Sequence, residues 1–481
     1  MYINNFFYSR FLFTSLLCFS LFLSSQPQSV SAQVSQTQGA EQQKQSRSLT
    51  PPTDQELIAK VDEYMAAATK VLGFGGTILI ARDGKPIISK GYGMANIEHS
   101  VPNSPQTVFR LGSITKQFTA MAIMMLQERG RLKIDDPICN YLKDCPAAWQ
   151  TVNIRQLLTH TSGIPSYTAF PEYVKFSVQP MTPEVMLSML RDKPLEFSPG
   201  EKFAYNNSGY YLLGVIIERV SGKSYADFLK ENIFIPLGMT QTGYDNPLDV
   251  VKNRAAGYAR RAGTVLNASY VDMSVPFAAG ALYSTVEDLL RWDQALYTEK
   301  LVPKKTLDEI FTPVKNGYGF GWGIGKRFGR DMISHGGNIN GFATQIMRFP
   351  SDKITVIVLS NFEGAPAGRI AGELSAIVFG APYEIPKERK EISVEPKALE
   401  KYVGEYQLQQ PKAILTISIE NGKLVAQIAN QPKLLLAAEA EDRFFSKDIN
   451  LLINFIKNDQ GNIGGLVLQI DGSRLPAQKI K

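Results

Sequence analysis

The sequence predicts an α/β fold, in which one antiparallel sheet packs against a mainly helical middle and is followed by a small all-β domain. Strand-like runs stand near both ends of residues 53–380, and the residues between them carry apolar positions at helical spacing. Strands from both ends of a domain can form one sheet that covers the helices between them. Along residues 397–481, apolar and polar residues alternate instead, which predicts strands.

The N-terminal residues are expected to carry a secretion signal and a spacer. The first ten residues contain one arginine and no acidic residue, and residues 11–23 form an apolar core. Val30-Ser31-Ala32 is a small-residue cleavage site, so residues 1–32 are expected to be a signal peptide that is cleaved after Ala32. This predicts a secreted or periplasmic protein, with an uncleaved anchor as the alternative. Residues 33–52 are rich in Gln and Ser and are expected to be a disordered spacer.

Local signals predict the elements of residues 53–380. Asp83-Gly84 stands between two strand-like runs and predicts a hairpin. The segment Ser284-Thr285-Val286-Glu287 resembles a capping box in front of a helix that continues through Trp292. Residues 343–360 hold two further strand-like runs, which Pro350-Ser351-Asp352 separates.

The C-terminal residues are expected to form a linker and a separate β domain. Residues 381–396 contain three prolines among mostly charged residues, which is typical of a linker. Beyond them, Asn421-Gly422 separates two alternating runs and predicts a hairpin turn. Residues 397–481 are therefore expected to be an antiparallel β domain, close to the size at which one core becomes stable on its own.

The first candidate catalytic motif is Ser113-Ile114-Thr115-Lys116. Because three residues are nearly one helical turn, a helix that starts at Ser113 brings its hydroxyl and the Lys116 ammonium within hydrogen-bonding reach. Apolar residues at helical spacing follow up to Gly130. A helix end favours an alkoxide, and a buried lysine can lose its proton near neutral pH. Taken alone, this motif is more often an N-cap serine followed by a surface lysine.

Two later motifs add candidate residues. Tyr205-Asn206-Asn207 stands between a Pro-Gly turn and an apolar run, so a loop tyrosine could relay a proton and Asn207 could hold a substrate. In His335-Gly336-Gly337 the glycines let the backbone approach a ligand, and the amide of Asn338 is a candidate oxyanion donor beside that of Ser113. The alternatives are a packing tyrosine, and a glycine-rich turn before a strand with a packed histidine. His160, in the turn over residues 157–163, is expected to be structural.

This ordered set resembles the serine β-lactamase and penicillin-binding-protein superfamily, whose signatures are Ser-x-x-Lys, a Tyr-x-Asn loop, and Lys-Thr-Gly or a relaxed His-x-Gly. Further segments are similar to the class C branch and its esterase and D-aminopeptidase relatives: residues 90–93, 109–113, 157–163, 279–285 and 318–323. The resemblance implies a β-lactamase-like antiparallel sheet flanked by helices, plus a helical subdomain, with the site in the cleft between them. The last residues look like the accessory β domain often appended to such hydrolases.

The resemblance also implies roles for the motif residues. Ser113 is the nucleophile of an acyl-enzyme, and Lys116 and Tyr205 share the general-base and general-acid steps, with the first proton acceptor left open. The backbone amides of Ser113 and Asn338 form the oxyanion hole, and the substrate-binding residues are Asn207, His335, Gly336 and Gly337. His335 replaces the usual lysine, and a mostly neutral histidine suits a substrate carboxylate less well than a fixed cation.

The chain is therefore expected to be a secreted serine hydrolase that acts on an ester, amide or D-peptide bond. Its partner is expected to be a small-molecule or peptide substrate, with cell-wall fragments as one candidate. One alternative is a β-lactamase or penicillin-binding DD-carboxypeptidase. The other is a catalytically silent cell-wall-binding or scaffold protein.

Several other classes are disfavoured. The chain has three histidines, without a His-Glu-x-x-His or Cys-x-x-Cys motif, so neither a metal nor a cofactor is expected. It also has no Gly-x-Ser-x-Gly elbow of an α/β-hydrolase. A net charge of +6 without a basic cluster does not indicate nucleic-acid binding. The N-terminal apolar core is too short for a membrane span, so no stable span is expected after cleavage. Cys139 and Cys145 could form a disulfide, with two free thiols as the alternative.

Overall fold

The computed structural model describes residues 50–261, 264–409, 413–428, 433–446, 451–470 and 473–481. The predicted signal peptide and nearly all of the predicted spacer lie outside these residues. Within the described part of the chain, no helix combines the length and the apolar character needed to cross a membrane.

The helices and strands of the described residues are numbered in chain order. The α-helices are α1 Asp54–Val71, α2 Thr115–Glu128, α3 Ile154–Leu158, α4 Tyr173–Phe176, α5 Pro183–Arg191, α6 Asn207–Ser221, α7 Tyr225–Leu229, α8 Ile235–Leu237, α9 Phe277–Gly280, α10 Val286–Ala295, α11 Lys304–Ile310, α12 Ala367–Phe379 and α13 Pro396–Leu399. The strands of the larger domain are β1 Gly76–Arg82, β2 Lys85–Tyr92, β3 Met94–Asn96, β4 Val101–Pro102, β5 Phe109–Arg110, β6 Gly243–Tyr244, β7 Tyr258–Arg261, β8 Thr264–Asn267, β9 Leu282–Ser284, β10 Gly323–Arg327, β11 Arg330–Ile339, β12 Phe342–Phe349 and β13 Ile354–Ser360. The C-terminal strands are β14 Gly404–Leu408, β15 Ala413–Glu420, β16 Lys423–Ile428, β17 Leu434–Ala440, β18 Arg443–Ser446, β19 Leu451–Lys457, β20 Ile463–Ile470 and β21 Ser473–Lys479. Short 3₁₀ turns lie at Gly112–Ile114, Ile138–Asn140, Ala147–Trp149, Tyr167–Ala169, Pro350–Asp352 and Glu400–Tyr402, and a π-helical turn lies at Lys230–Phe234.

The larger domain is built on a six-stranded antiparallel sheet in the order β10-β11-β12-β13-β1-β2. Strand β1 pairs with β13 along its whole length, so the two ends of the domain meet at the middle of the sheet. Strands β12 and β13 are buried throughout, which explains the nearly continuous apolar and β-branched sequence of β13. The predicted antiparallel sheet is therefore confirmed.

Helices cover the sheet on both faces. Helices α1 and α12 pack with one set of sheet side chains, including Ile78, Ile80 and Val356. The alternate side chains, including Leu79 and Ile357, join the core of the helical middle. This division follows from the period of two in a strand, which sends successive side chains to opposite faces.

One helix start differs from its predicted cap. The N-cap of α10 is Thr285, whose hydroxyl accepts the N–H of Asp288, and not Ser284 with Glu287. The reason is that Ser284 still belongs to β9, where it pairs with Phe109, and its side chain contacts the Thr242 hydroxyl at 2.7 Å. Tertiary pairing thus selects the second of two adjacent capping residues.

The C-terminal domain is a closed eight-stranded barrel, β14 to β21, with an apolar core of its own. The predicted small all-β domain is confirmed, and the Asn421-Gly422 turn joins β15 to β16 as expected. The linker residues contact both domains. Tyr383 packs with the core around α1 and α12, whereas Arg389 pairs with Glu439 of the barrel.

Cys139 and Cys145 form a disulfide in the helical middle of the larger domain. The bridge closes a short loop between the turns at Ile138–Asn140 and Ala147–Trp149.

Candidate active site

Ser113 lies in the 3₁₀ turn Gly112–Ile114, directly before α2, and it is 8% exposed. The chain continues from this turn directly into α2, so the Ser113 side chain lies beside Lys116 in the first turn of the helix. The backbone amides of such a helix start favour negative charge. An alkoxide at Ser113 is therefore better tolerated here than in a strand or a surface loop.

Lys116 is fully buried one turn later, and its Nζ has three hydrogen-bond partners. They are Ser113 Oγ at 3.1 Å, Asn207 Oδ1 at 2.8 Å and the Ala279 carbonyl at 2.9 Å. The last two can only accept hydrogen bonds. A neutral Lys116 amine gives its two N–H groups to these acceptors, so its lone pair is left for the Ser113 hydroxyl proton.

Burial lowers the pKa of Lys116 well below the usual lysine range. Its Nζ also lies over the rings of Tyr205 and Tyr210, at 4.9 and 5.5 Å from their centroids, and these contacts favour the ammonium. Each such contact contributes about 0.5–2 kcal/mol, whereas an ammonium buried without a carboxylate costs several kcal/mol. Desolvation is the larger effect, and Lys116 is therefore suited to accept a proton.

Tyr205 is the third member of this group, and its hydroxyl hydrogen-bonds the Ser113 side chain. Burial raises the pKa of the Tyr205 phenol, and the hydrogen bond with Ser113 opposes this only in part. Tyr205 is therefore a protonated phenol at neutral pH. It can donate a proton, whereas its phenolate form is disfavoured.

His160 packs against the loop that carries Tyr205. Its ring lies 4.3 Å from the Tyr205 ring, centroid to centroid, and its Nδ1 accepts the N–H of Asn206 at 3.1 Å. Its backbone is in the left-handed region, with φ 57°, which non-glycine residues adopt rarely. Burial lowers the pKa of His160 well below the usual histidine value, so the ring is neutral. His160 thus fixes the backbone next to Tyr205.

Asn206 and Asn207 begin helix α6. Asn206 is its N-cap, and its Oδ1 accepts the N–H of Gly209 at 2.7 Å. The Asn207 side chain is directed to Lys116 through Oδ1 and to Thr168 Oγ1 through Nδ2, at 3.2 Å. Asn207 therefore holds Lys116 in place, with one amide hydrogen still available for a substrate.

The third motif lies inside strand β11, so the alternative of a glycine-rich turn is wrong. Strand β10 pairs with β11 only as far as Ser334, and the Ser113 turn packs against the part of β11 that follows. A Cβ at Gly337 would lie 3.0 Å from the Ser113 nitrogen, and one at Gly112 would lie 2.9 Å from the Asn338 nitrogen. The two candidate oxyanion amides therefore belong to backbones in direct contact.

His335 is buried and has partners on both ring nitrogens. Its Nδ1 lies 2.6 Å from the Gly336 carbonyl, which can only accept, so Nδ1 carries the proton. Its Nε2 then accepts from the Tyr318 hydroxyl at 2.9 Å. Burial, and secondarily the charge of Lys116, lower the pKa of His335 to about 3. His335 is thus a neutral residue of the wall beside Tyr205.

The structure brings together all the residues that the three motifs nominate, and it adds others that sequence reasoning missed. The added residues are Ala279, Tyr318, Ser166 and Thr168, whereas the support that His160 gives to the tyrosine loop is in keeping with its expected structural role. A backbone carbonyl such as that of Ala279 leaves no mark in the sequence. In the part of the chain that the structure describes, no group of three or more His, Cys, Asp or Glu side chains could hold a metal ion.

Comparisons with known proteins identify relatives of this chain. The β-lactamase family model matches residues 58–378, and a domain of unknown function, DUF3471, matches residues 388–479. A penicillin-binding protein of Bacillus subtilis (strain 168) is 33% identical over 435 residues, which cover 85% of this chain and 95% of that relative.

Two solved structures are also similar. The octameric penicillin-binding protein homologue from Pyrococcus abyssi has a TM-score of 0.62 and 28% identity, covering 87% of this chain and 99% of that one. A D-stereospecific amidohydrolase from Streptomyces sp. has a TM-score of 0.57 and 26% identity, covering 67% of this chain and 99% of that one. The chain therefore belongs to the β-lactamase family of serine hydrolases, is homologous to penicillin-binding proteins, and carries a C-terminal DUF3471 domain.

Proposed function

We propose that the protein hydrolyses ester, amide or D-peptide bonds through an acyl-enzyme on Ser113. The observation that carries this proposal is the hydrogen-bonded series from Tyr205 through Ser113 to Lys116. Lys116 has two partners that only accept, so its lone pair can take the Ser113 proton. This supports Lys116 as the first base and Tyr205 as the acid.

The proposed reaction has two halves. The Ser113 proton moves to Lys116 Nζ as Ser113 Oγ attacks the substrate carbonyl, and the amides of Ser113 and Asn338 stabilise the oxyanion. When the intermediate collapses, the Tyr205 phenol protonates the leaving group, and the Lys116 ammonium returns its proton to Tyr205. Water then attacks the ester with the same groups acting in reverse, which releases the acid and restores Ser113.

The substrate class follows from the wall of the site and from the relatives. His335 is neutral where a fixed cation would suit a β-lactam carboxylate, because its pKa is lowered to about 3. The similar amidohydrolase is D-stereospecific, and other relatives are penicillin-binding proteins. The neutral wall and the D-stereospecific relative favour uncharged esters, D-amino-acid amides or D-peptides, whereas the penicillin-binding relatives support the alternative of β-lactams.

Covalent labelling tests the proposed nucleophile. A fluorescent phosphonate should label the wild type stoichiometrically and leave Ser113→Ala unlabelled, because the phosphonate bonds to the activated hydroxyl. Ser162→Ala is a matched control, since Ser162 is another buried serine of the helical domain. Absence of label from the wild type with both a phosphonate and a penicillin probe would favour a catalytically silent protein.

Substrate preference tests the role of the neutral His335 side chain in the wall of the site. Turnover of p-nitrophenyl acetate or butyrate should exceed that of nitrocefin, because only the latter needs a cation for its carboxylate. A reversed preference would identify the alternative, a β-lactamase or DD-carboxypeptidase. A panel of D-amino-acid amides and muropeptides then separates the remaining substrates.

The role of Tyr205 has its own test. Tyr205→Phe should lose at least about 100-fold in kcat, because the leaving group is no longer protonated. Its melting temperature should stay that of the wild type, since the ring contacts remain. Near-normal turnover by this variant would remove Tyr205 from the mechanism.

The proposed site of action is outside the cytoplasm. The disulfide between Cys139 and Cys145 supports an oxidising compartment. N-terminal sequencing of the mature protein should begin at Gln33, and a mature chain that begins at Met1 would contradict cleavage.

A further inference from the structure

The two ends of the Asn207 carboxamide have opposite hydrogen-bonding character and contact different partners. Oδ1 accepts from Lys116 Nζ at 2.8 Å, whereas Nδ2 donates to Thr168 Oγ1 at 3.2 Å. Ser166 Oγ lies 3.0 Å from Thr168 Oγ1 and accepts the backbone N–H of Asn207 at 3.2 Å. Two half-buried hydroxyls therefore surround the end of Asn207 that is opposite Lys116.

The orientation of this carboxamide decides where the Lys116 lone pair is directed. A reversed Asn207 would present Nδ2 to Lys116, and an amide N–H can only donate. It would occupy the lone pair of the neutral amine, and an N–H of Lys116 would then face Ser113 Oγ. Lys116 would keep all its neighbours, but it could no longer accept the Ser113 proton.

Thr168 alone cannot select between the two orientations, because a hydroxyl both donates and accepts. Ser166 Oγ, 3.0 Å from Thr168 Oγ1, offers an acceptor that selects one orientation when Thr168 donates to it. If the Thr168 proton is donated to Ser166 Oγ, Thr168 Oγ1 is left as an acceptor, and only the Nδ2 end of Asn207 satisfies it. The orientation with Oδ1 towards Lys116 is then the one in which every group is paired.

The segment that carries both hydroxyls is attached firmly to the start of helix α6. Asn206 Nδ2 donates to the Ile164 carbonyl. Ser208 Oγ accepts the N–H of Tyr167 at 2.8 Å and donates to the Pro165 carbonyl, also at 2.8 Å. Ser166 and Thr168 are thus held at fixed positions relative to Asn207.

We propose that Ser166 and Thr168 are positioning residues, which hold the Asn207 carboxamide with its oxygen towards Lys116 and so direct the Lys116 lone pair at Ser113. This inference rests on the proposed function, in which Ser113 is the nucleophile. Neither hydroxyl contacts the reacting atoms. Both act through Asn207.

The test compares Thr168→Val, Thr168→Ser and Ser166→Ala with the wild type. The readouts are the rate of phosphonate labelling and the turnover of p-nitrophenyl acetate between pH 5 and 9. Thr168→Val should lower the plateau rate by about 10- to 100-fold, with the KM changed much less, because the base is misdirected while the substrate site is kept. The rising limb of its pH profile should not move to higher pH, because an amide N–H on the lone pair favours the uncharged amine. Thr168→Ser should restore most of the rate, and Ser166→Ala should lie between.

A buried threonine in the same region provides the control. Thr159 donates to the Arg155 carbonyl and contacts Thr161, so Thr159→Val removes a hydroxyl that does not reach Asn207. Wild-type labelling rates in Thr168→Val, or no rescue by Thr168→Ser, would overturn the inference alone. Absence of labelling in the wild type would overturn the proposed function and this inference with it.

Discussion

At the scale of single residues, Lys116 lies in a site that disfavours its charged form. It is fully buried, and its Nζ contacts two carbonyl oxygens, a serine hydroxyl and two aromatic rings, none of which carries a negative charge. Such a site disfavours the ammonium, which suits the residue to the role of base that we propose for it. The same property makes the folded state less favourable at neutral pH.

The unfavourable burial of the Lys116 ammonium predicts that the free energy of unfolding depends on pH. Burial lowers the pKa of Lys116 in the folded state, so between that pKa and the pKa of an unfolded lysine, about 10.4, the unfolded chain binds one more proton. Within that window the free energy of unfolding rises with pH, by about 1.4 kcal/mol per pH unit for one proton. Relative to Lys116→Met, wild-type stability should therefore increase from pH 7 to pH 9.5.

Urea unfolding at the two pH values measures this difference. Tryptophan fluorescence is a suitable signal, because all three tryptophans lie in the larger domain, at positions 149, 292 and 322. Lys85→Met, at an exposed lysine of β2, controls for the loss of a lysine as such. If the free energies of unfolding of the wild type and of Lys116→Met change in parallel with pH, Lys116 is charged in the folded protein and the prediction is wrong.

At the scale of elements, strand β11 and the Ser113 turn depend on each other through one glycine. A Cβ at Gly337 would lie 1.9 Å from the Leu111 carbonyl, whose oxygen accepts the Thr344 hydroxyl at 2.7 Å. This oxygen cannot move without moving Ser113, two residues further on. Gly337→Ala should therefore separate the two proposed oxyanion amides, those of Ser113 and Asn338, and lower the labelling rate by about 100-fold or more.

Another glycine of the same sheet provides the matched control for this prediction. A Cβ at Gly325, in β10, would meet no atom within 4 Å. Gly325→Ala should therefore label at the wild-type rate and melt close to the wild-type temperature. Equal labelling of the two variants would contradict the proposed backbone contact.

The elements that could be predicted from the sequence are those with local signals. Asp83-Gly84 and Asn421-Gly422 each join two strands as expected, and α2 follows Ser113 and ends at Glu128, near the predicted stop at Gly130. In these cases the turn residues or the apolar period decide the structure within a few positions. The N-cap of α10 was displaced by one residue because the pairing of Ser284 in β9 is not visible locally.

The residues that sequence reasoning missed lie where structure depends on distant pairing. Ser166 and Thr168 stand about forty positions before Asn207, beside and within the short 3₁₀ turn Tyr167–Ala169, and no local signal links them to that residue. His335 could be recognised as a mostly neutral substitution of the family lysine, but the lowering of its pKa to about 3 depends on burial, which only the fold shows. Motifs thus predicted which groups meet, and the fold supplies the burial that shifts their pKa values.

At the scale of the whole molecule, the apolar cores of the two domains are separate. The barrel core contains side chains from residues 394–477, whereas the cores of the larger domain contain side chains from residues 57–383. The linker joins the two domains through surface contacts: Lys70 pairs with Glu388, both largely exposed, and Arg389 pairs with Glu439. An exposed ion pair such as that of Lys70 with Glu388 contributes little to the stability of the larger domain. The larger domain should therefore fold and react without the barrel.

A chain that ends at residue 387 tests this independence. It keeps Tyr383 in the larger core and the hydrogen bond from the Glu384 N–H to Glu373, and it removes the residues of the DUF3471 match. Phosphonate labelling of Ser113 and the midpoint of the tryptophan fluorescence transition should both match the full chain, because Ser113 and every tryptophan belong to the retained core or its edge. In the full chain, far-ultraviolet circular dichroism should show a second transition, from the barrel. If the shortened chain folds with the same midpoint and yet loses labelling, the barrel takes part in forming the active site, and the two domains act as one catalytic unit.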